Sequence, residues 1–237
     1  MRNSSFQFKQ FTIHQAKAVM KVCTDACIFG ASIDADKAKS VLDIGTGTGL
    51  LALMIAQKSQ GQITAIEIEQ NAFDQAFQNV KASPWHDRIK VIHADIQSFA
   101  LITSEKFDLI ICNPPFFQQH LKSNIHAKNT AKHDETLSFE DLAYAIGTFL
   151  SDNGECHILL PEYEASLFVE TVQKHGIFQT SSIIVRQKLG TNIFRVINKF
   201  RREKTQQVAV NELFIYKSAS DYSDEFKAVL SPYYLNL

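Results

Sequence analysis

The sequence predicts an α/β fold in which helices cover both faces of a mostly parallel sheet. Short, almost continuously apolar runs rich in β-branched residues alternate with amphipathic stretches of helical periodicity. Strands of that composition are buried on both faces, as they are when crossover helices connect parallel strands. After Gly176 no long helical stretch separates the last three strand-like runs, which predicts that an antiparallel element completes the sheet.

The predicted elements follow one another from residue 40 onward. The predicted strands span 40–45, 62–69, 89–95, 107–113 and 154–161, and three further strand-like runs span 180–188, 194–202 and 208–216. The predicted helices span 48–59, 70–83, 138–150 and 162–176. Ser138 followed by Asp141 is typical of a helix start, and Gly176 is typical of a helix end.

These elements predict a single domain over residues 1–237, in three segments. Residues 1–39 precede the first core strand and are expected to form a helical flank or lid. Residues 40–176 are expected to form the core, and residues 177–237 the C-terminal antiparallel strands and tail. No stretch is long enough to serve as a linker between two domains.

Composition narrows the functional class. The formal net charge is −1, so a nucleic-acid-binding surface would have to be a local patch. The four cysteines are scattered, which favours reduced cytoplasmic thiols over a disulfide framework. Cys23 and Cys27 leave a metal pair open as an alternative, but no second pair has ligand spacing, and we predict no metal. The first residues lack the apolar stretch of a signal peptide, and no apolar run could span a bilayer.

The stretch LDIGTGTGLL places three glycines, Gly45, Gly47 and Gly49, on the first strand–helix turn. In an open parallel sheet this turn lies at the carboxyl end of the strands, where ligands bind. The spacing is G-x-G-x-G and differs from the dinucleotide G-x-G-x-x-G pattern. Asp43 stands two residues before the loop, where a carboxylate would repel a phosphate and attract an ammonium group. The motif therefore favours S-adenosylmethionine over NAD.

Two further acids end the next two predicted strands. Glu67 falls 22 residues after Gly45, close to the spacing of about 20 expected for a ribose-binding carboxylate. Asp95 ends the third strand, where it could meet the adenine amino group of the same cofactor. The predicted cofactor site also includes Ile68 and Ile96, which directly follow these acids. A solvated strand end would explain one such acid, but not three successive ones beside a glycine loop.

The fourth strand ends in Asn113-Pro114-Pro115-Phe116, the predicted catalytic element. Proline fixes φ, so the carbonyl groups of this run point in fixed directions. The side-chain oxygen of Asn113 and the backbone oxygen of Pro114 could together accept both hydrogens of one NH₂ group. Such contacts would aim the lone pair of a poorly nucleophilic adenine amine at an electrophilic methyl group. Phe116 offers a face on which a planar base could stack.

The glycine loop and the Asn-Pro-Pro-Phe element together resemble the amino-directed class I methyltransferases, which methylate adenine N6, cytosine N4 or the amide of glutamine. Five further stretches narrow the resemblance to the tRNA1(Val) (adenine(37)-N6)-methyltransferase family: residues 6–13, 20–31, 83–89, 94–99 and 222–237. This resemblance covers nearly the whole chain. It implies a Rossmann-like seven-stranded sheet with an antiparallel last strand, the cofactor S-adenosylmethionine and, as substrate, the adenine 3′ of the anticodon in valine tRNA.

The resemblance also implicates Thr24 and Asp25. In related methyltransferases an N-terminal motif closes over the methionine part of the cofactor, and these two residues match its polar pair. Many relatives have glycines on either side of the pair, whereas this chain has Cys23 and Ala26. The departure concerns the residues that shape the turn, whereas the polar pair itself matches the motif.

Two basic stretches are predicted to contact the nucleic acid. Residues 120–133 contain three lysines, three histidines and no acid, and are expected to form a loop that orders on RNA. Residues 186–204 are rich in lysine and arginine, with phenylalanines among them, which suits a groove that follows phosphates. Solvated surface is the alternative for both. The predicted contacts are Lys122, Lys128, Lys132, Arg186, Lys188, Arg195, Lys199, Arg201 and Arg202.

The predicted function is N6-methylation of an adenine in tRNA by a cytoplasmic enzyme without an obligatory protein partner. Three alternatives stay open: a glutamine N5-methyltransferase of a protein release factor, a DNA adenine N6-methyltransferase, and a non-catalytic RNA-binding or chaperone-like module. The basic C-terminal stretch disfavours the first alternative. The absence of an extra target-recognition domain disfavours the second, and the intact Asn-Pro-Pro-Phe element disfavours the third.

Overall fold

The structure is a computed structural model that describes residues 4–16, 20–114, 137–219 and 221–237. Its strands are β1 (Ser5–Gln7), β2 (Thr12–His14), β3 (Ser40–Ile44), β4 (Gln62–Glu67), β5 (Ile89–His93), β6 (Phe107–Cys112), β7 (Leu150–Leu160), β8 (Phe178–Arg186), β9 (Ile193–Arg201) and β10 (Ala209–Phe214). Its helices are α1 (Thr24–Ser32), α2 (Leu50–Ala56), α3 (Gln70–Lys81), α4 (Ile96–Ile102), α5 (Phe139–Phe149), α6 (Glu162–Gln173) and α7 (Asp224–Leu230).

The central sheet has the strand order β10-β8-β9-β7-β6-β3-β4-β5. Strands β3 to β7 pair in parallel, and β9 runs antiparallel between β7 and β8. The mostly parallel sheet with an antiparallel element is thus confirmed. Within the described ranges the sheet has eight strands instead of the seven that the resemblance implied, and the antiparallel strand β9 is not the last one. Because β9 inserts beside β7, β8 is left with a free edge, and β10 pairs with that edge in parallel.

The central strands β3 and β6 are buried on both faces, which explains their near-continuous apolar runs. Along β3, Val41 packs in one core with α1, α2 and α7, whereas Leu42 and Ile44 pack in a second core with α4, α5 and α6. Because neighbouring side chains point to opposite faces, a strand covered on both sides has few positions for polar residues. A polar side chain inside such a strand, as Asp43 is, therefore stands out.

The N-terminal segment differs from the helical flank that was expected. It contains one helix, α1, but begins with a two-stranded antiparallel ribbon of β1 and β2. Aromatic contacts hold this ribbon: the rings of Phe8 and Phe11 stack with centroids 4.5 Å apart, and Phe11 packs edge-on against Trp85 at 5.8 Å. Strands of three residues are too short to show a period in sequence. The short helices α4 and α7 were likewise not predicted.

The C-terminal segment packs against the N-terminal ribbon and α2. The backbone N–H of Lys9 donates to the carbonyl of Tyr233 at 2.8 Å, and the ring centroids of Phe6 and Tyr234 lie 5.7 Å apart. The buried hydroxyl of Tyr233 donates to the carbonyl of Met54 at 3.0 Å. The two ends of the chain therefore close one core together.

All four cysteines are free. Burial raises the pKa of the Cys23 and Cys27 thiols to about 12, so neither is a thiolate near neutral pH. Within the described ranges no group of three or more His, Cys, Asp or Glu residues is placed to hold a metal ion. Nor does this part of the chain contain a helix long and apolar enough to cross a membrane.

Candidate active site

Four neighbouring parallel strands deliver the predicted site residues to one edge of the sheet. Ile44 lies opposite Cys112 of β6 on one side and opposite Ile66 of β4 on the other. Gly45 and Asn113, the residues that follow, therefore leave the sheet side by side, about 4.8 Å apart from strand to strand. Glu67 ends β4 one strand further along. The structure thus brings the glycine loop, Glu67 and Asn113 together.

The glycine loop has a backbone that only glycine adopts readily. The φ angles of Gly45, Gly47 and Gly49 are 71°, 59° and 81°. The loop is tied down where the N–H groups of Gly45 and Thr46 donate to the carbonyl of Ile66 at 2.9 and 3.0 Å. A Cβ atom added at Gly45 or Gly47 would meet nothing within 4 Å. Open space therefore lies directly against the backbone, as a closely bound ligand requires.

Glu67 is buried and fixes the loop from β4. Its Oε2 accepts a hydrogen bond from the Gly47 N–H at 2.8 Å, and its Oε1 accepts one from the Glu69 N–H at 2.9 Å. Each carboxylate oxygen can accept more than one hydrogen bond. Glu67 therefore keeps one acceptor position on each oxygen, which fits the two hydroxyls of a ribose.

Asp43 lies beneath the loop with none of its surface exposed. Its Oδ2 accepts a hydrogen bond from the Thr46 hydroxyl at 2.5 Å, but its buried Oδ1 has no hydrogen-bond partner among the residues described. Burial is the largest cause that raises the pKa of this carboxyl, to about 7; the nearby charge of Glu67 adds to it, and hydrogen bonds from the Thr46 hydroxyl and the Ala52 backbone act against it. A cationic group bound at the loop would offset this unfavourable burial, so the site fits a ligand with an ammonium group.

Asp95 follows β5, the strand beyond β4, and caps α4. Its Oδ1 accepts from the Ser98 N–H and its Oδ2 from the Ser98 hydroxyl, both at 2.7 Å. These hydrogen bonds hold the pKa of the Asp95 carboxyl below its usual value, so it is an anion at neutral pH. The side chain of Ile68 is 47% exposed and could cover a ligand, whereas that of Ile96 is buried in the second core.

Asn113 directly follows β6, and its side-chain oxygen is an acceptor at the edge of the sheet. Its Oδ1 is buried, and within the described part of the chain no donor is within hydrogen-bonding distance of it. A buried amide oxygen without a donor costs about 1–3 kcal/mol, so such an atom needs an explanation. Pro114, which follows, is also buried. Pro115 and Phe116 lie outside the described residues, so their predicted roles stay predictions.

Thr24 and Asp25 begin α1, with Thr24 exposed and Asp25 buried. The Oδ2 of Asp25 lies 2.8 Å from the Nε of Arg195 on β9, in an ion pair. One residue was predicted to contact the cofactor and the other the nucleic acid, so their pairing was not anticipated. They are 170 positions apart, and nothing in the sequence marks them as partners.

The predicted basic surface of residues 186–204 is divided by the direction of β9. Arg186, Lys188 and Arg195 lie at the same edge as Asn113. Lys199 and Arg201 pair with Glu155 and line a cleft of about 580 Å³ at the opposite edge, where β3 and β6 begin. Arg202, also predicted to contact the nucleic acid, donates to the carbonyls of Gly147 and Leu150 at that opposite edge. The other three predicted contacts, Lys122, Lys128 and Lys132, lie outside the described residues.

Asn79 supports the site but was missed in the sequence. It is buried in α3, and its Nδ2 donates to the carbonyls of Thr48 and His14, each at 2.9 Å. Its Oδ1 accepts from the N–H of His14 at 2.9 Å. Asn79 therefore fastens the glycine loop to the N-terminal ribbon. The only signal in the sequence is a polar residue next to Ala76 and Val80 on the buried stripe of an amphipathic helix.

The part of the chain that holds the candidate active site matches a known family of methyltransferases. Residues 21–138 match the family described as "Methyltransferase small domain", and this range contains the glycine loop, Glu67 and Asn113. Two solved structures share the fold at low identity. A predicted O-methyltransferase from Agrobacterium tumefaciens has a TM-score of 0.64 at 16% identity, over 90% of this chain and 100% of that one. Ribosomal protein L11 methylase from Lactobacillus delbrueckii subsp. bulgaricus has a TM-score of 0.57 at 15% identity, over 81% and 84%.

Relatives by sequence are much closer. The chain is 42% identical to the tRNA1(Val) (adenine(37)-N6)-methyltransferase of Dyadobacter fermentans, over 99% of this chain and 98% of the relative. It is 38% identical to the protein of the same name from Cytophaga hutchinsonii, over the full length of both. Identity of this extent confirms the resemblance inferred from the motifs. The chain belongs to the tRNA1(Val) (adenine(37)-N6)-methyltransferase family.

Proposed function

We propose that this protein transfers a methyl group from S-adenosylmethionine to N6 of an adenine in tRNA. Membership of the family and the glycine loop support the cofactor and the reaction type. The observation that carries the proposal is the buried Oδ1 of Asn113 beside that loop, which has no hydrogen-bond partner among the residues that the structure describes. We further propose the valine tRNA and the adenine 3′ of its anticodon as the substrate, because the relatives are named for that position.

The residues of the glycine loop would hold the cofactor. Glu67 would accept hydrogen bonds from the ribose hydroxyls with the two acceptor positions that the loop leaves it. Asp43 would face the ammonium group, which compensates the burial of its carboxylate. When bound, S-adenosylmethionine supplies an electrophilic methyl group. Ile68 would lie against the adenine ring of the cofactor, since its side chain is exposed directly after Glu67.

Asn113 would orient the substrate amine. Its Oδ1 can accept one N–H of the adenine amino group, and the carbonyl of Pro114 can accept the other. Held in this way, the amine keeps its nitrogen lone pair free and aimed away from both acceptors. The contribution is positioning and electrostatic stabilisation, which requires no covalent bond to the protein. Phe116 is proposed to stack on the base.

The family membership favours this reading over release-factor or DNA methylation and over a non-catalytic module. We also propose that the protein acts in the cytoplasm, where tRNA and reduced thiols occur together. The four free cysteines are consistent with this location. We propose no obligatory protein partner.

Substitution of Asn113 tests the proposal. Asn113→Ala is expected to lower kcat at least about 100-fold, the effect of losing one preorganised hydrogen-bonding group, while the Kd for S-adenosylmethionine changes less than about threefold. Labelled-methyl transfer to tRNA lacking the modification, to a release factor and to DNA measures the reaction, and mass spectrometry of digested tRNA locates the methyl group. Asn211→Ala on the exposed edge of β10 is the matched control. Full activity of Asn113→Ala would refute the assigned role.

A further inference from the structure

The turn that joins β8 to β9 stands at the same edge of the sheet as Asn113. Arg186 lies opposite Ile193, so residues 187–192, here called the hairpin tip, extend beyond the last paired residues. Strands β9 and β7 separate β8 from β6, which corresponds to about 15 Å between the hairpin tip and Asn113 at about 4.8 Å per strand. The hairpin tip is therefore near the candidate active site without forming part of it.

Hydrogen bonds set the shape of the hairpin tip. The hydroxyl and the N–H of Thr191 both donate to the carbonyl of Lys188, at 2.7 and 3.1 Å. The Nη1 of Arg186 donates to the carbonyl of Thr191 at 2.5 Å, and its Nε pairs with Glu212 at 2.9 Å. Gly190 closes the turn with a φ of 79°. The turn is therefore formed before any partner binds.

Two side chains at the hairpin tip are exposed and available for contact with a partner. Leu189 is 82% exposed. Lys188 is exposed and, within the ranges that the structure describes, forms no ion pair, whereas Arg186 and Arg195 are held by Glu212 and Asp25. A single exposed leucine needs no explanation by itself. A leucine beside an available cation, on a preformed turn at the edge of an active site, suits a partner that is both anionic and apolar.

We propose that the hairpin tip docks the RNA substrate, with Leu189 packing against an unstacked base and Lys188 contacting a neighbouring phosphate. The inference rests on the proposed function. An adenine in a folded loop has to leave its stack before its amine can reach Asn113, and apolar side chains commonly fill or hold open such a gap. A stacked strand advances about 3.4 Å per nucleotide, so 15 Å places the contact within about four nucleotides of the target adenine.

Two variants and two matched controls test the docking role. Leu189→Ala is expected to raise the Kd for unmodified tRNA about 5- to 10-fold, the lower part of the range for one stacking contact. Lys188→Ala is expected to weaken binding a few-fold and to reduce the slope of log K against log salt by about one. The matched controls are Leu101→Ala and Lys37→Ala. Leu101 is 87% exposed at the end of α4, and Lys37 lines the cleft at the opposite edge of the sheet. Neither control should change the Kd for tRNA or its salt dependence.

The readouts are filter binding of tRNA over a salt series, the KM for tRNA and the Kd for S-adenosylmethionine. Only the Kd for S-adenosylmethionine should be unchanged in all four variants. All four positions are exposed, so thermal midpoints should match the parent protein. If the parent methylates tRNA and the hairpin-tip variants bind no more weakly than the controls, the docking role is overturned while the proposed function stands. If the parent neither binds nor methylates tRNA, both are overturned.

Discussion

Replacing Asp43 by asparagine should stabilise the protein at alkaline pH and impair its cofactor binding. The carboxyl is fully buried, and one of its oxygens lacks a hydrogen-bond partner among the described residues. Burial raises its pKa from 3.8 to about 7. Since the folded protein holds this proton to a higher pH than the unfolded chain, the free energy of unfolding falls as the pH rises through this interval. The loss is complete above the folded-state pKa.

The size of the effect follows from the shift. A difference of about 3 pKa units corresponds to about 4 kcal/mol of lost stability above pH 7, or about 1.4 kcal/mol per pH unit between the two values. Asparagine removes this titration. The asparagine also places an NH₂ group at the buried position of the Asp43 Oδ1, which has no hydrogen-bond partner among the described residues. Burying this group without a partner costs about 1–3 kcal/mol at every pH. The free energy of unfolding of Asp43→Asn relative to the parent should therefore rise by roughly 2–3 kcal/mol between pH 5 and pH 8.

Urea unfolding at several pH values between 5 and 8 measures this difference, with unchanged m-values as the check on two-state behaviour. Asp152→Asn, whose side chain is 99% exposed, is the control and should show no such trend. Calorimetric titration at pH 8 should show at least about tenfold weaker binding of S-adenosylmethionine by Asp43→Asn, since the neutral side chain no longer attracts an ammonium group. A stability difference that is constant across this pH range would refute the assignment of a raised pKa to Asp43.

Two more expectations follow from the supports of the site. Arg195→Ala removes the ion-pair partner of the buried Asp25. The KM for S-adenosylmethionine should therefore rise about tenfold, while kcat changes less than about threefold. Arg195→Lys should restore most of the affinity for S-adenosylmethionine. An unchanged KM would show that the ion pair does not position the start of α1. Asn79→Ala leaves groups of His14 and Thr48 without partners and should lower the free energy of unfolding by about 2–3 kcal/mol. Asn71→Ala, exposed on the same helix, should cost less than about 0.5 kcal/mol, and equal losses for both variants would contradict the linking role.

The sequence predicts best what local chemistry determines. The buried strands are recognisable in the sequence as apolar runs. The Ser138 side chain accepts a hydrogen bond from the N–H of Asp141 and so caps α5, as expected. The rule that ligands bind at the carboxyl ends of parallel strands was sufficient to group the glycine loop with Asn113. The division of the basic stretch was not predictable, because the direction of β9 within the sheet depends on tertiary packing. The ion pair between Asp25 and Arg195 was not predictable for the same reason, because it requires the start of α1 and the start of β9 to lie at the same edge of the sheet.

The contact between the two ends of the chain affects when the protein can finish folding during its synthesis. The ammonium group of Lys9 bonds to the carbonyl of Ser231, 222 positions later. At about 5–20 residues per second, the ribosome adds the second partner about 10–45 s after the first. Tyr233, which holds Met54 of α2, arrives equally late, although α2 directly follows the glycine loop. A nascent chain therefore carries the whole glycine loop long before Tyr233 can hold α2 in place. High-affinity cofactor binding is expected only after Ser231 and Tyr233 have been added.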